Sequence, residues 1–154
     1  MPDYTEVTGR ITALCEGETD VIACMASIAC ELNQEFDHYD WVGFYRVTEP
    51  QLLKIGPYQG THGCLTIPFD RGVCGAAAKT GTTQIVADVN SFPGHIACST
   101  TTQSEIVVPV FGPDGQLFGV LDVDSNQPDA FGAEDAKALE AICAAVFGRP
   151  GMKP

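Results

Sequence analysis

Glu105-Ile106-Val107-Val108-Pro109-Val110-Phe111-Gly112-Pro113-Asp114-Gly115-Gln116-Leu117-Phe118-Gly119-Val120-Leu121-Asp122-Val123 is two apolar runs joined by a turn. Both runs are rich in β-branched residues. Gly-Pro-Asp-Gly between them supplies the backbone breakers of a tight reversal, so the stretch predicts an antiparallel hairpin over Glu105–Phe111 and Leu117–Val123. Upstream, Trp41 to Val47 and Leu52 to Tyr58 predict a second hairpin around Thr48-Glu49-Pro50. The segment between the hairpins is loop-rich. It holds a strand over Cys64 to Pro68, a short helix from Gly72 to Lys79 ended by Gly81, a brief strand from Gln84 to Ala87, and an irregular loop from Asp88 to Ser99.

The flanks are helical. Residues 4–14 predict one helix, broken at Glu16-Gly17-Glu18. Thr19 or Asp20 can cap a second, in which Val21, Met25, Ile28, Leu32 and Phe36 recur at steps of three and four. Ala133 to Phe147 predicts the last helix, with Ala136, Leu139, Ile142, Cys143 and Val146 as its apolar stripe. Helices, strands, a loop-rich insert, strands and a helix, in that order, predict an α+β domain with a mainly antiparallel sheet and helices segregated to one side. One domain is expected over residues 1–154, with its core at about 4–147 and a short tail at 148–154.

The chain has 154 residues, 45% of them hydrophobic, enough to bury a full core. Its formal net charge of -12 leaves no basic run to neutralise phosphates, so a nucleic-acid role is excluded as an expectation. The start, Met-Pro-Asp-Tyr-Thr-Glu, shows no secretory signal, and no apolar stretch approaches the length of a membrane span. Seven cysteines in such a chain point to a reducing cytoplasm, where persistent disulfides are not expected and transient catalytic ones are.

Three of those cysteines sit among glycines and prolines: His62-Gly63-Cys64, Gly72-Val73-Cys74-Gly75 and Phe92-Pro93-Gly94-His95-Ile96-Ala97-Cys98. Thiols beside backbone breakers are placed to meet substrates, metals or each other. Cys24, Cys30 and Cys143 fall on predicted helices and read as structural; Cys15 reads as structural or incidental. His95, three residues before Cys98, is either a base that lowers the thiol's pKa or a structural donor. A zinc site from His62, Cys64, Cys74, His95 and Cys98 is the metal alternative, but the spacings match no common zinc module. Asp122 to Asn126 superficially resembles a calcium loop. It fails, because Gln127 replaces the glycine such a loop requires and Ala133 its closing glutamate.

Strand alternation puts Trp41, Gly43 and Tyr45 on one face, and Asp122 and Asp124 on one face with Phe118 and Val120. Two carboxylates among apolar residues need partners. One reading is a bound ammonium group beside an aromatic wall of Trp41 and Tyr45; the other is a pair that closes the strand end. Glu105 opens an apolar strand, either as an acid of raised pKa or as a solvated end.

Taken together, six stretches resemble the free methionine-(R)-sulfoxide reductases, which are single GAF domains. They are Asp40-Trp41-Val42-Gly43-Phe44-Tyr45, Gly56-Pro57-Tyr58-Gln59-Gly60, Gly72-Val73-Cys74-Gly75, Phe92 to Cys98, Ser104 to Pro109, and Gly119 to Ser125. The resemblance runs from about Tyr4 to Phe147. It implies a pocket over one sheet face closed by loops, and reduction of the R-epimer of free methionine sulfoxide, not of the residue within proteins. By matched motif, Cys98 would be the nucleophile, Cys64 the resolving thiol, Cys74 a second thiol able to join the relay, and Glu105 the proton donor. Trp41, Tyr45, Glu105, Asp122 and Asp124 would line the substrate site. Thioredoxin or another dithiol would be the reductant, no metal or organic cofactor would be needed, and a homodimer is plausible by resemblance alone. Ser99 departs from an acidic residue that follows the nucleophile in many relatives. The competing class is a stand-alone GAF module that senses a small ligand or redox state.

Overall fold

The computed structural model describes residues 2–95 and 98–154. Within them, four α-helices and six strands follow as α1 (Thr5–Leu14), α2 (Val21–Glu35), β1 (Trp41–Glu49), β2 (Leu52–Gln59), β3 (Thr66–Pro68), α3 (Gly72–Thr80), β4 (Gln84–Val86), β5 (Ser104–Phe111), β6 (Leu117–Ser125) and α4 (Ala133–Phe147), with a 3-10 turn at Val89–Ser91. Ile96 and Ala97, inside the expected loop Asp88–Ser99, lie outside the described residues.

The two hairpins form, the first reversing at Pro50-Gln51 because Thr48 and Glu49 extend β1, and they join through their inner strands. The sheet order is β3-β2-β1-β6-β5-β4, and every neighbouring pair is antiparallel. Pro109, which cannot donate to a ladder, is tolerated because it lies beyond the end of β4, where β5 has no neighbour on that side. Alternation then divides the sheet into two faces. Val42, Phe44, Ile106, Val108, Leu121 and Val123 form one core with α1, α2 and α4. Trp41, Tyr45, Leu53, Val107 and Val120 form a second core on the opposite face.

Two details differ from the sequence expectation. Helix α3 packs on the second face, through Val73, Cys74 and Ala77, so segregation of the helices holds for α1, α2 and α4 only. Phe118 belongs to the helix-side core, not to the face of Asp122. The cause is a register shift between Val110 and Phe111, which pairs Phe111 with Leu117 and turns Phe118 over.

Asp20 rather than Thr19 starts α2: its Oδ1 accepts the N–H groups of Ile22 at 2.9 Å and Ala23 at 3.3 Å. Asp20→Ala is expected to lower stability by about 1 kcal/mol in urea unfolding, leaving the site intact. Residues beyond 147 are not a loose tail. Met152 is buried in the helix-side core, and the Arg149 guanidinium donates to the carbonyls of Cys15 at 2.6 Å and Glu18 at 2.8 Å. No helix among the described residues is long and apolar enough to cross a membrane.

Candidate active site

Register decides which side chains meet. On the face away from α1, α2 and α4, Trp41 pairs with Asp124, and Asp124 with Glu105, giving one row across β1, β6 and β5. The next row is Gly43, Asp122 and Val107; the third begins with Tyr45 and Val120. Glu105 and Asp124 are therefore directly opposed carboxyls on neighbouring strands, with Asp122 one row away. Like charges so placed repel, unless protons or a cation intervene. Helix α3 lies over them and brings Cys74 in: one donor atom from each of Cys74, Glu105 and Asp122 lies within 4.8 Å of the other two.

Burial makes this cluster chemically unusual. Glu105 is 6% exposed and Asp122 5%, so the solvated strand end offered for Glu105 is corrected. One oxygen of Asp122 and one of Asp124 are buried without a hydrogen-bond partner. Burial is the main cause that raises all three carboxyls well above the carboxylate range; neighbouring charge adds to it, from Asp122 on Glu105, Asp124 on Asp122 and Glu105 on Asp124. The three titrate as a unit that retains protons where an ordinary carboxylate has lost them. The Cys74 thiol is also pushed up, first by burial and then by the neighbouring charge of Asp122. This thiol, placed by the sequence among glycines at the start of a short helix, is buried in the first turn of α3.

Above the carboxyls stands an aromatic wall. Trp41 is stacked between Tyr58, at 5.3 Å between centroids, and Tyr45, at 6.0 Å, and its Nε1 donates to the Thr61 carbonyl at 2.6 Å. Gly43 is required beneath the indole, because a Cβ there would run into the Trp41 ring and the Cβ of Tyr58. Tyr58 and Thr61 were assigned no role from the sequence. Tyr58 could have been found by pairing β2 against β1, since it lies opposite Gly43.

The walls enclose a cavity of about 170 Å³, lined among others by Asp40, Trp41, Tyr45, His62, Cys74, His95, Cys98, Glu105, Asp122 and Asp124. That is below the roughly 300–1,000 Å³ of drug-sized sites, so the occupant is small. The backbone N–H of Gly72, at the start of α3, donates to the Gly94 carbonyl at 3.1 Å and so ties the helix to the loop that carries Cys98.

Cys64 and Cys98 are joined in a disulfide, with Cα atoms 5.6 Å apart. The zinc set considered from the sequence does not assemble: two of its thiols are bonded to each other. Among the described residues, the three-donor group is instead Cys74, Glu105 and Asp122. His95 lines the cavity with its pKa lowered by burial, so near neutrality it is not the cation that would depress a thiol's pKa. Cys24 and Cys143 are buried and Cys15 equally so, as structural thiols should be, while Cys30 is half-buried and accepts from Gln34 Nε2 at 3.2 Å.

Residues 16–146 match the family model described as a GAF domain. A free methionine-R-sulfoxide reductase of Escherichia coli (strain K12) is 38% identical over 141 residues, which cover 92% of this chain and 84% of that protein. The X-ray structure of free methionine-R-sulfoxide reductase from Neisseria meningitidis in complex with its substrate is similar at a TM-score of 0.88 and 43% identity, covering 94% of this chain and 86% of that one. The reduced form of fRMsr of Staphylococcus aureus gives a TM-score of 0.90 at 41% identity, covering 96% and 94%.

Proposed function

The chain belongs to the GAF-domain family of free methionine-(R)-sulfoxide reductases, and from that premise we propose that it reduces free L-methionine (R)-S-oxide to L-methionine with Cys98 as nucleophile. The observation that carries this reading is that Cys98 and three proton-retaining carboxyls line one small cavity. A sulfoxide needs both at once: a thiolate to attack sulfur and an acid to protonate the departing oxygen.

The substrate lies with its sulfoxide between Cys98 and Glu105. Its ammonium group meets the unpartnered oxygens of Asp122 and Asp124, which answers the need those buried atoms present. Trp41 and Tyr45 pack its side-chain methylenes and S-methyl group. The first turn of α3, whose N-cap residue Arg71 gives no side-chain cap, borders the cavity and offers backbone N–H groups to the carboxylate.

The Cys98 thiolate attacks the sulfoxide sulfur while Glu105 delivers a proton to the oxygen. Oxygen passes to Cys98, methionine departs, and Cys98 is left as a sulfenic acid. The Cys64 thiol condenses with it, forming the Cys64–Cys98 disulfide and one water; the pairing in the structure supports Cys64 over Cys74 as resolver. A dithiol such as thioredoxin takes up the oxidising equivalents. These steps balance with thiols and carboxyls alone.

Purified protein, given the separate R and S epimers of free methionine sulfoxide with dithiothreitol, is expected to form methionine from R only. N-acetyl-methionine (R)-sulfoxide, which lacks the ammonium group, is expected to be reduced at least about 100-fold less efficiently. Methionine from neither epimer would overturn the reading and leave a ligand-binding GAF module.

A further inference from the structure

We propose that the protein dithiol which recycles the enzyme attacks Cys64 and not Cys98, docking on the exposed surface that Leu65 presents beside the edge strand β3. This rests on the reductase reading. Disulfide exchange needs one sulfur open to an incoming thiolate along the S–S axis, and the two sulfurs are placed differently. Cys98 lines the substrate cavity; Cys64 does not. An attacker bound to Cys98 would have to enter a cavity of about 170 Å³, far too small for a protein loop. Cys64, half-buried as Cys98 is, lies outside that lining and directly before Leu65.

Among the described residues, Leu65 is the most exposed of the large apolar side chains, at 71%. Its backbone is nevertheless held, because its carbonyl accepts from Ile55 N–H at 3.0 Å. A fixed backbone that aims an aliphatic side chain into solvent beside a reactive disulfide is a contact point, and anchors of this kind concentrate binding energy. The strand that begins at the next residue, Thr66, is the outer edge of the sheet, so the contact point stands at an uncovered end of the strand order.

The chemistry is balanced. The partner thiolate bonds to Cys64 Sγ, the Cys64–Cys98 bond breaks, and Cys98 leaves as a thiolate inside the cavity, ready for the next sulfoxide. The partner's second thiol then displaces Cys64, leaving the partner oxidised and Cys64 reduced.

Two measurements test this. Leu65→Asp is expected to raise the KM for a thioredoxin-type protein dithiol roughly five- to tenfold. Turnover with dithiothreitol and the KM for the sulfoxide should stay unchanged. A thioredoxin-type protein whose second cysteine is serine is expected to be trapped on the oxidised enzyme, with the mixed disulfide mapped to Cys64 by mass spectrometry. Trapping on Cys98, an unchanged KM for the protein dithiol, or equal losses with both reductants would overturn the proposal. Failure of the wild-type protein with dithiothreitol would instead overturn the reductase reading beneath it.

Discussion

Cys98→Ser is expected to lower methionine formation on the order of 10³-fold or more, with substrate binding retained. Serine keeps the shape and loses the nucleophile: a hydroxyl is not ionised near neutrality, and oxygen cannot take up the sulfoxide oxygen as sulfur can. The contrast with Cys64→Ser gives the result its meaning. Removing the resolver leaves the first step intact, so Cys64→Ser should release one methionine per chain in a single turnover and then stall, with a sulfenic acid on Cys98 that a dimedone adduct reports. Cys98→Ser should show no burst and no adduct. Turnover retained by Cys98→Ser would remove the nucleophile assignment. Normal cycling of Cys64→Ser with thioredoxin would transfer the resolving role to Cys74, although that thiol is buried with its pKa raised, poor conditions for a resolving thiol.

The sheet was legible in the sequence because its signals are local. Gly-Pro-Asp-Gly and Thr-Glu-Pro mark the reversals, and β-branched runs flank them. The face of Trp41, Gly43 and Tyr45 followed from the two-residue period of a strand. The same rule misplaced Phe118, since one shifted pair at Phe111 and Leu117 inverts the alternation beyond it, and no composition signal marks the shift. Asp122 and Asp124 could be put on one face, yet that Glu105 stands opposite Asp124 depends on register between strands, which the chain does not spell out. The burial of Cys74 was hidden for a related reason. Its glycine neighbours read as backbone breakers that expose a thiol, but they serve close packing: a Cβ at Gly75 would lie 2.7 Å from the Pro68 carbonyl oxygen.

Glu105→Gln separates catalysis from stability, because the two should move in opposite directions. Glutamine fills the same space and cannot deliver a proton, so the single-turnover rate of methionine release is expected to fall by about 10²–10⁴-fold. The wild-type chemical step should also lose rate as pH rises through the raised carboxyl pKa, and Glu105→Gln should lack that alkaline limb. Stability carries the opposite sign. A carboxyl whose folded-state pKa lies above its unfolded value of about 4.3 holds more protons folded than unfolded, so stability is lost as pH rises from there through the folded pKa. Removing that ionisation, and giving the unpartnered oxygens of Asp122 and Asp124 amide donors, should make Glu105→Gln more stable than wild type at neutral pH by about 0.5–2 kcal/mol, read from urea unfolding under reducing conditions. A variant that is slower and less stable would mean that Glu105 is a structural carboxyl. One that is more stable with an unchanged single-turnover rate would move the proton to Asp122 or Asp124. The expected pair, lower rate with higher stability, is what a buried acid retained for its proton produces, since the fold bears the cost of keeping it.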